Sequence, residues 1–299
     1  MPSLKDLRTQ INSVSSTKKI TSAMKMVAAS KLRRSQERAE ASRPYSSRME
    51  EMLSSLASSG ISGEGVINLL KGNGKEDSYL IIPVTADRGL CGGFNSNINR
   101  ETYKFVKKLE SEKKKVKILT IGKKSRDFFN KIFKDKIINS YIDLGTTGAG
   151  YEKALEISNY IQKQYFENNF DICKIIFNKF KSAITQEVSH QQIIPLDIKI
   201  SNEEEIQNSN EKENSSIYDY EPDEKSILED LLPKNIAIQI FKVLLESDAG
   251  EQGARMAAMD NATRNAGDLV EKLTINYNRS RQAAITKELI EIISGAESL

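Results

Sequence analysis

The residue types that do chemistry in proteins are scarce in this chain, and their spacing does not combine them. There is one histidine, His190, and there are two cysteines, Cys91 and Cys173. A lone histidine cannot anchor a metal. Two cysteines outside any Cys/His cluster supply neither a disulfide framework nor a zinc site. No metal and no cofactor is expected, and free thiols fit a reducing compartment. His190 lies in a strand-like stretch and reads as structural. No serine or cysteine stands in a nucleophile motif, so no catalytic residue is assigned.

The phosphate-binding loops are missing as well. No GxGxxG follows the first strand-like run, and no GxxxxGK[ST] occurs. In Gly122-Lys123-Lys124-Ser125 the first glycine of that loop is replaced by Lys117. Gly145, Gly148 and Gly150 form a glycine-rich turn before a helical pattern that starts at Tyr151, which is the composition of a generic loop. The densest local signal is TADRGLCGGFN, Thr85 to Asn95. It follows the first strand directly, at the carboxyl edge where α/β sheets present binding loops. Two readings stand open. Asp87, Arg88, Gly89, Leu90, Cys91, Gly92 and Gly93 form a recognition loop, or they form a tight turn with freedom from the glycines, an Asp87–Arg88 pair and a small buried thiol at Cys91.

The elements that must position this loop alternate. Strands are expected at Tyr79–Val84, Val116–Ile121, Ile137–Ile142, Ile175–Phe180 and Gln191–Ile200. Helices are expected at Ile98–Leu109, Ser125–Phe133 and Tyr151–Tyr165. Alternation of this kind implies a mostly parallel, Rossmann-like sheet over residues 76–200. A glycine-rich polar stretch from Gly60 to Asp77 leads into it. Asn202 to Glu224 carries nine acidic residues and one lysine, so 201–225 reads as an acidic mobile loop.

Both ends carry helical periods. Leu4, Leu7, Ile11 and Val14 repeat at coiled-coil spacing, followed by Ile20, Met24 and Val27. Met259, Ala262, Ala266, Leu269 and Leu273 do the same, and Ile285, Leu289 and Ile292 resume it. Residues 1–58 and 226–299 are therefore expected as long helices, roughly 85 Å and 105 Å at about 1.5 Å per residue. Their seam is weakly apolar, with Lys18, Thr21, Asn276 and Ser280 where an oily residue is expected, which calls for a further protein around them. Pro233 either starts the second helix or kinks it. Residues 1–48 hold eleven basic and three acidic side chains, yet no aromatic residue occurs from Met1 to Pro44. That favours a partner-facing positive helix over a nucleic-acid surface. No apolar run is long enough to span a membrane, and no signal-peptide core is present.

Two terminal stretches are more specific than any of these patterns. ITSAMKMVAASKLRRSQERAEASRPY (Ile20–Tyr45) resembles the first helix of the gamma subunit of F-type ATP synthases. EQGARMAAMDNATRNAGDLVEKLTINYNRSRQAAITKELIEIISGA (Glu251–Ala296) resembles the last helix of that family, and TADRGLCGGFN resembles its loop after the first strand. The resemblance implies an α/β fold class with a long antiparallel two-helix coiled coil from the N- and C-termini and an inserted Rossmann-like domain. It implies a non-catalytic rotor shaft inside a ring of three alpha and three beta subunits. The domain would be a foot against the epsilon subunit and the membrane c-ring, peripheral on the cytoplasmic face of the bacterial inner membrane. Matched motif positions put Lys18, Lys19, Met24, Lys25, Arg281, Gln282 and Thr286 against the ring. They put Asp87 to Gly93 at the foot, and IISGAESL in the collar of the ring. The rivals are a coiled-coil nucleic-acid-binding protein and a nucleotide-binding α/β enzyme.

Overall fold

The computed structural model describes residues 3–58, 67–143, 150–182, 185–196 and 224–297. Residues 201–223 of the acidic stretch, Gly145, Gly148 and the end of the expected last strand lie outside the described residues. The chain divides into two compact units, Met1–Ser30 with Arg255–Leu299, and Lys31–Ala254. One helix, α1 (Leu4–Ser58), contributes to both, as does the last, α6 (Glu224–Glu297).

The larger unit is built on five strands: β1 (Ser78–Pro83), β2 (Lys115–Ile121), β3 (Ile137–Tyr141), β4 (Ile172–Phe180) and β5 (Gln186–Ile194). Their order in the sheet is β3-β2-β1-β4-β5. The first three pairings are parallel, and β5 runs antiparallel to β4. The sequence SYLIIP makes β1 the centre because it is apolar on both faces, as a parallel strand covered on both sides must be. Alternate residues face opposite layers. Leu80, Ile82, Leu119, Ile175 and Phe177 enter one core with α2 (Ile67–Lys71), α5 (Tyr151–Phe166), the end of α1 and the start of α6. Ile81, Ile118 and Ile176 enter the other with α3 (Phe94–Ser111) and α4 (Lys123–Ile132). Each such fully buried side chain stabilises the fold by about 1.5–3 kcal/mol relative to exposure.

The last strand forms five residues earlier than its apolar run suggested. Gln186, Glu187, Ser189, His190 and Gln192 are polar, and only the edge position of β5 tolerates them. Pro233 does not start α6; it lies inside a helix already begun, and its carbonyl accepts a hydrogen bond from Gln162 Nε2 at 3.2 Å.

The amino edge of the sheet is pinned by Asp171. Its carboxylate accepts hydrogen bonds from Asn73 Nδ2 (2.5 Å), Ser78 Oγ (2.7 Å) and the amides of Ser78 (2.9 Å) and Asp77 (3.1 Å). Burial alone would raise its pKa, but these donors outweigh burial and hold the carboxyl below the usual aspartate range.

The smaller unit is an antiparallel helix pair. Lys25 Nζ meets Asp260 Oδ1 at 2.6 Å and Thr263 Oγ1 donates to Thr21 Oγ1 at 2.8 Å, so α1 advances as α6 retreats. Lys18 lies over Gly267. The seam on α1 runs Leu7, Ile11, Val14, Lys18, Thr21, Lys25, Ala28, with 4-3 spacing throughout, and Leu7, Thr21 and Ala28 are buried. On α6 it runs Met259, Thr263, Ala266, Val270, Leu273, Tyr277.

This corrects the expected seam. Ile20 and Val27, read as core, are 60% and 57% exposed; Leu269, Ile285, Leu289 and Ile292 are exposed as well. The heptad runs through the polar Lys18 and Thr21 without a break, and reading the larger apolar side chains beside them shifts the stripe by one residue. One residue is about 100° around a helix.

Candidate partner-binding surface

What the helix pair leaves outside is the distinctive part of its chemistry. Ile20 and Val27 stand one heptad apart on one stripe of α1, with Met26 beside them at 65% exposure. On α6 the apolar excess is larger. Seventeen residues separate Thr21 from Leu4, and the same count forward from Thr263 ends at Ser280, so α1 runs out there. Beyond it Ile285, Leu289, Ile290, Ile292 and Ile293 are all exposed. Grouped exposed apolar side chains of this size mark a surface that another protein covers.

The polar residues singled out at the ends divide into two kinds. Lys25 is held inside the pair by Asp260, whose pKa is lowered first by the hydrogen bond from Lys25 and further by Arg264. Met24 is half-buried, and Lys18 and Lys19 are exposed. Arg281, Gln282 and Thr286 are exposed; Thr286 Oγ1 donates to the Gln282 carbonyl at 2.9 Å, a bond within the helix. Arg281 makes no ion pair among the described residues, which leaves a planar, permanently charged donor set for an external carboxylate.

In the larger unit, Asp87 to Gly93 form a braced loop. Asp87 Oδ1 accepts from the Lys123 amide at 2.8 Å, so the local Asp87–Arg88 pair is replaced by a cap on α4. Asn95 ties the loop to itself. Its Oδ1 accepts from the Ala86 amide, and its Nδ2 donates to the Arg88 carbonyl and to Cys91 Sγ. Cys91 is buried. Leu90, at φ 63 and 65% exposed, is displayed in a conformation that side chains other than glycine rarely adopt.

The same sheet edge shows why no nucleotide site forms. In an open α/β sheet the ligand crevice lies where the strand order reverses, here between β1 and β4. That place is taken by α6. A Cβ on Gly250 would stand 3.4 Å from the Asn178 carbonyl and from the Phe94 ring, while Asn178 Nδ2 donates to the Phe94 carbonyl. The cleft left between Thr85–Asp87 and Leu244–Glu251 holds about 40 Å³, far below the roughly 300–1,000 Å³ of small-molecule sites. His190 packs its ring edge-on to Phe105 with Nε2 3.4 Å from Glu101 Oε1, and it lines an open hollow of about 310 Å³ with Lys179, Lys242 and Glu246. Among the described residues no group of acidic, histidine or cysteine side chains could hold a metal ion, and no helix is long and apolar enough to cross a membrane.

Comparison with known proteins follows the same lines. A family model described as ATP synthase matches residues 3–299. The ATP synthase gamma chain of Rhodospirillum rubrum is 54% identical over 299 residues, covering all of both chains. That of Pelagibacter ubique is 53% identical over 300 residues, again covering both. Among solved structures, the central stalk and c-ring of the Tetrahymena thermophila mitochondrial ATP synthase matches with 28% identity. That match has a TM-score of 0.60 and covers 81% of this chain and 99% of the other. A chain of the Euglena gracilis mitochondrial enzyme in rotational state 3 shares the fold at 20% identity. Its TM-score is 0.68, covering 99% of this chain and 94% of that one.

Proposed function

The chain belongs to the ATP synthase family as a gamma chain, and from that premise we propose that it is the non-catalytic central rotor shaft coupling ion flow through a membrane c-ring to ATP synthesis. The observation that carries the reading is the apolar surface its helix pair cannot cover: Ile20, Met26 and Val27 on α1, and Ile285 to Ile293 on α6. Three alpha and three beta subunits are the wrapper those side chains require. Residues 1–58 and 226–299 form the shaft, and residues 76–200 form the foot toward the epsilon subunit and the c-ring. The complex sits peripherally on the cytoplasmic face of the bacterial inner membrane.

Lys18, Lys19 and Met24 face the ring, as do Arg281, Gln282 and Thr286, with Lys25 fixed by Asp260 so that its charge has a set position. Asp87 to Gly93 form a docking tip centred on Leu90, for which the resemblance supplies epsilon or the c-ring as partner. Rotation works by unequal contact. A shaft shifts each beta subunit only by its differential affinity for that subunit's conformations, and the coupling is reciprocal, so hydrolysis in the ring drives the shaft in reverse. The rival nucleotide-binding enzyme lacks a crevice at the point where the strand order reverses, since α6 fills it.

The test is co-expression with alpha and beta subunits, followed by sizing and an ATPase assay. The expected result is one copy of this chain per ring, with hydrolysis dependent on its presence. Arg281→Ala should weaken coupling or assembly by about tenfold, the scale of one charge-assisted hydrogen bond, and leave nucleotide binding by the ring unchanged. A chain that stays free of alpha and beta defeats the reading.

A further inference from the structure

Two connections at the amino edge of the sheet lie side by side: the turn from α3 to β2, and the single 3-10 turn Lys134–Lys136 from α4 to β3. Both are rich in lysine. Lys107 and Lys136 share the Glu110 carboxylate, and their amines sit 5.3 Å and 5.1 Å from the Phe133 ring centre. A buried ring and one carboxylate thus fix two ammonium groups and neutralise one. Around them Lys108, Lys113, Lys131 and Lys134 are exposed and make no ion pair among the described residues. Lys113 holds φ 59, with its amide donating to the Glu110 carbonyl, so the turn itself is set against the same cluster. Lysines at a helix C-terminus interact favourably with the helix dipole, which accounts for Lys108 and Lys131. It does not account for Lys113, Lys134 or Lys136, which lie beyond the helices. Glu112 and Asp135 leave the ridge in clear positive excess.

We infer that this ridge docks on the anionic phospholipid headgroups of a membrane surface. The ridge is lysine throughout. Ammonium groups are compact point charges suited to a diffuse anionic surface, whereas recognition of a defined carboxylate or base selects arginine. The aromatic ring of the cluster is buried, so no base could stack on it. Ile132, 43% exposed between Lys131 and Phe133, adds one apolar side chain of the kind an interfacial region accepts. The inference rests on the rotor reading, which brings the foot domain to a membrane-embedded ring.

The experiment is sedimentation of the full-length chain with phosphatidylcholine vesicles, with and without phosphatidylglycerol. Each lysine at an anionic surface contributes about a fivefold factor to partitioning. Lys108→Glu/Lys113→Glu/Lys134→Glu should therefore lose at least about a hundredfold of the phosphatidylglycerol-dependent binding, since each reversal removes an attraction and adds a repulsion. A matched variant on the basic first helix, Lys31→Glu/Arg34→Glu/Arg38→Glu, should lose no more than about fivefold, because on this inference the ridge, and not that helix, meets the headgroups. Lys113→Gln alone should lose about fivefold, which keeps the test decisive if the triple variant fails to fold. Equal losses in the two triple variants, or binding indifferent to phosphatidylglycerol, overturn the inference. Unchanged vesicle binding with lost association of the epsilon subunit also overturns it, in favour of an acidic protein partner. Co-assembly of the triple variant with alpha and beta reads the rotor assignment separately, so either can fail without the other.

Discussion

The sheet unit and the helix pair are made by the same chain on opposite terms. In the sheet unit the large apolar side chains go inward. Leu80, Ile81, Ile82, Ile118 and Leu119 are fully buried, and its carboxylate at Asp171 is enclosed by donors. In the helix pair the seam holds Lys18, Thr21 and Lys25, while Ile20, Val27, Ile285 and Ile292 face outward. A structure that places threonine inside and isoleucine outside is not completing its own core. It is one side of a larger interface. The sheet unit closes its own core, with the end of α1 and the start of α6 among its walls.

The contrast is sharpest at two glycines. Gly122, between β2 and α4, holds φ 94, and a Cβ there would stand 2.1 Å from the Thr85 carbonyl oxygen. That oxygen belongs to the backbone and cannot swing away. Gly122→Ala should therefore cost about 3 kcal/mol or more, by combined strain and clash. Urea denaturation followed by the sheet's circular dichroism measures it. A variant within about 1 kcal/mol of the parent would mean that the sheet unit is more deformable than its packing implies.

Asp171 tests the same unit through pH. Its folded pKa lies below its unfolded one, so it contributes stability that is fully present above the ordinary aspartate value near 3.9 and lost as pH falls through the lower folded value. Asp171→Asn should cost about 2 kcal/mol at neutral pH, where charge-assisted hydrogen bonds are replaced by weaker ones. The gap between parent and variant should close on acidification below about pH 4. Denaturation curves at neutral and acid pH check this. A gap that stays constant would assign the cost to shape rather than charge.

These two units were not equally legible in the sequence. The strand–helix alternation is written in apolar runs, because parallel strands buried on both faces must be apolar, and β1 to β4 fall close to where those runs stand. The loop at Thr85–Asn95 was visible as a cluster of glycines, but not its bracing by Asn95, whose partners come together only in the fold. The helix ends were recognisable as helices, and the family resemblance was carried by them. The seam itself was legible only in part. Apolar periodicity marks it at Leu7, Ile11, Val14, Met259, Ala266 and Leu273, but at Ile20, Val27, Leu269 and beyond Leu273 the large apolar residues lie beside it and face outward. That failure follows from function: a stripe reserved for another subunit has the same composition as a stripe reserved for a partner helix. The crevice filled by α6 was equally hidden, since the helix that fills it lies far along the chain from the strands it meets.

Gly267 is the counterpart of Gly122 in the helix pair and closes the comparison from the weak side. It sits in the interior of α6, where glycine is less favourable than alanine by about 0.8–1.0 kcal/mol. A Cβ there would approach Lys18 Nζ at 3.3 Å and Cε at 3.6 Å, the far end of a flexible and exposed side chain. The lysine can turn aside at little cost, so Gly267→Ala should stabilise the helix pair, by about 0.5–1 kcal/mol. Thermal denaturation of the full-length chain by circular dichroism would show the helical signal persisting to higher temperature. One substitution thus carries opposite signs in the two units. A loss at Gly267 as large as that at Gly122 would show that the helices approach too closely there for even a methyl group, and that the pair is as tightly packed as the sheet.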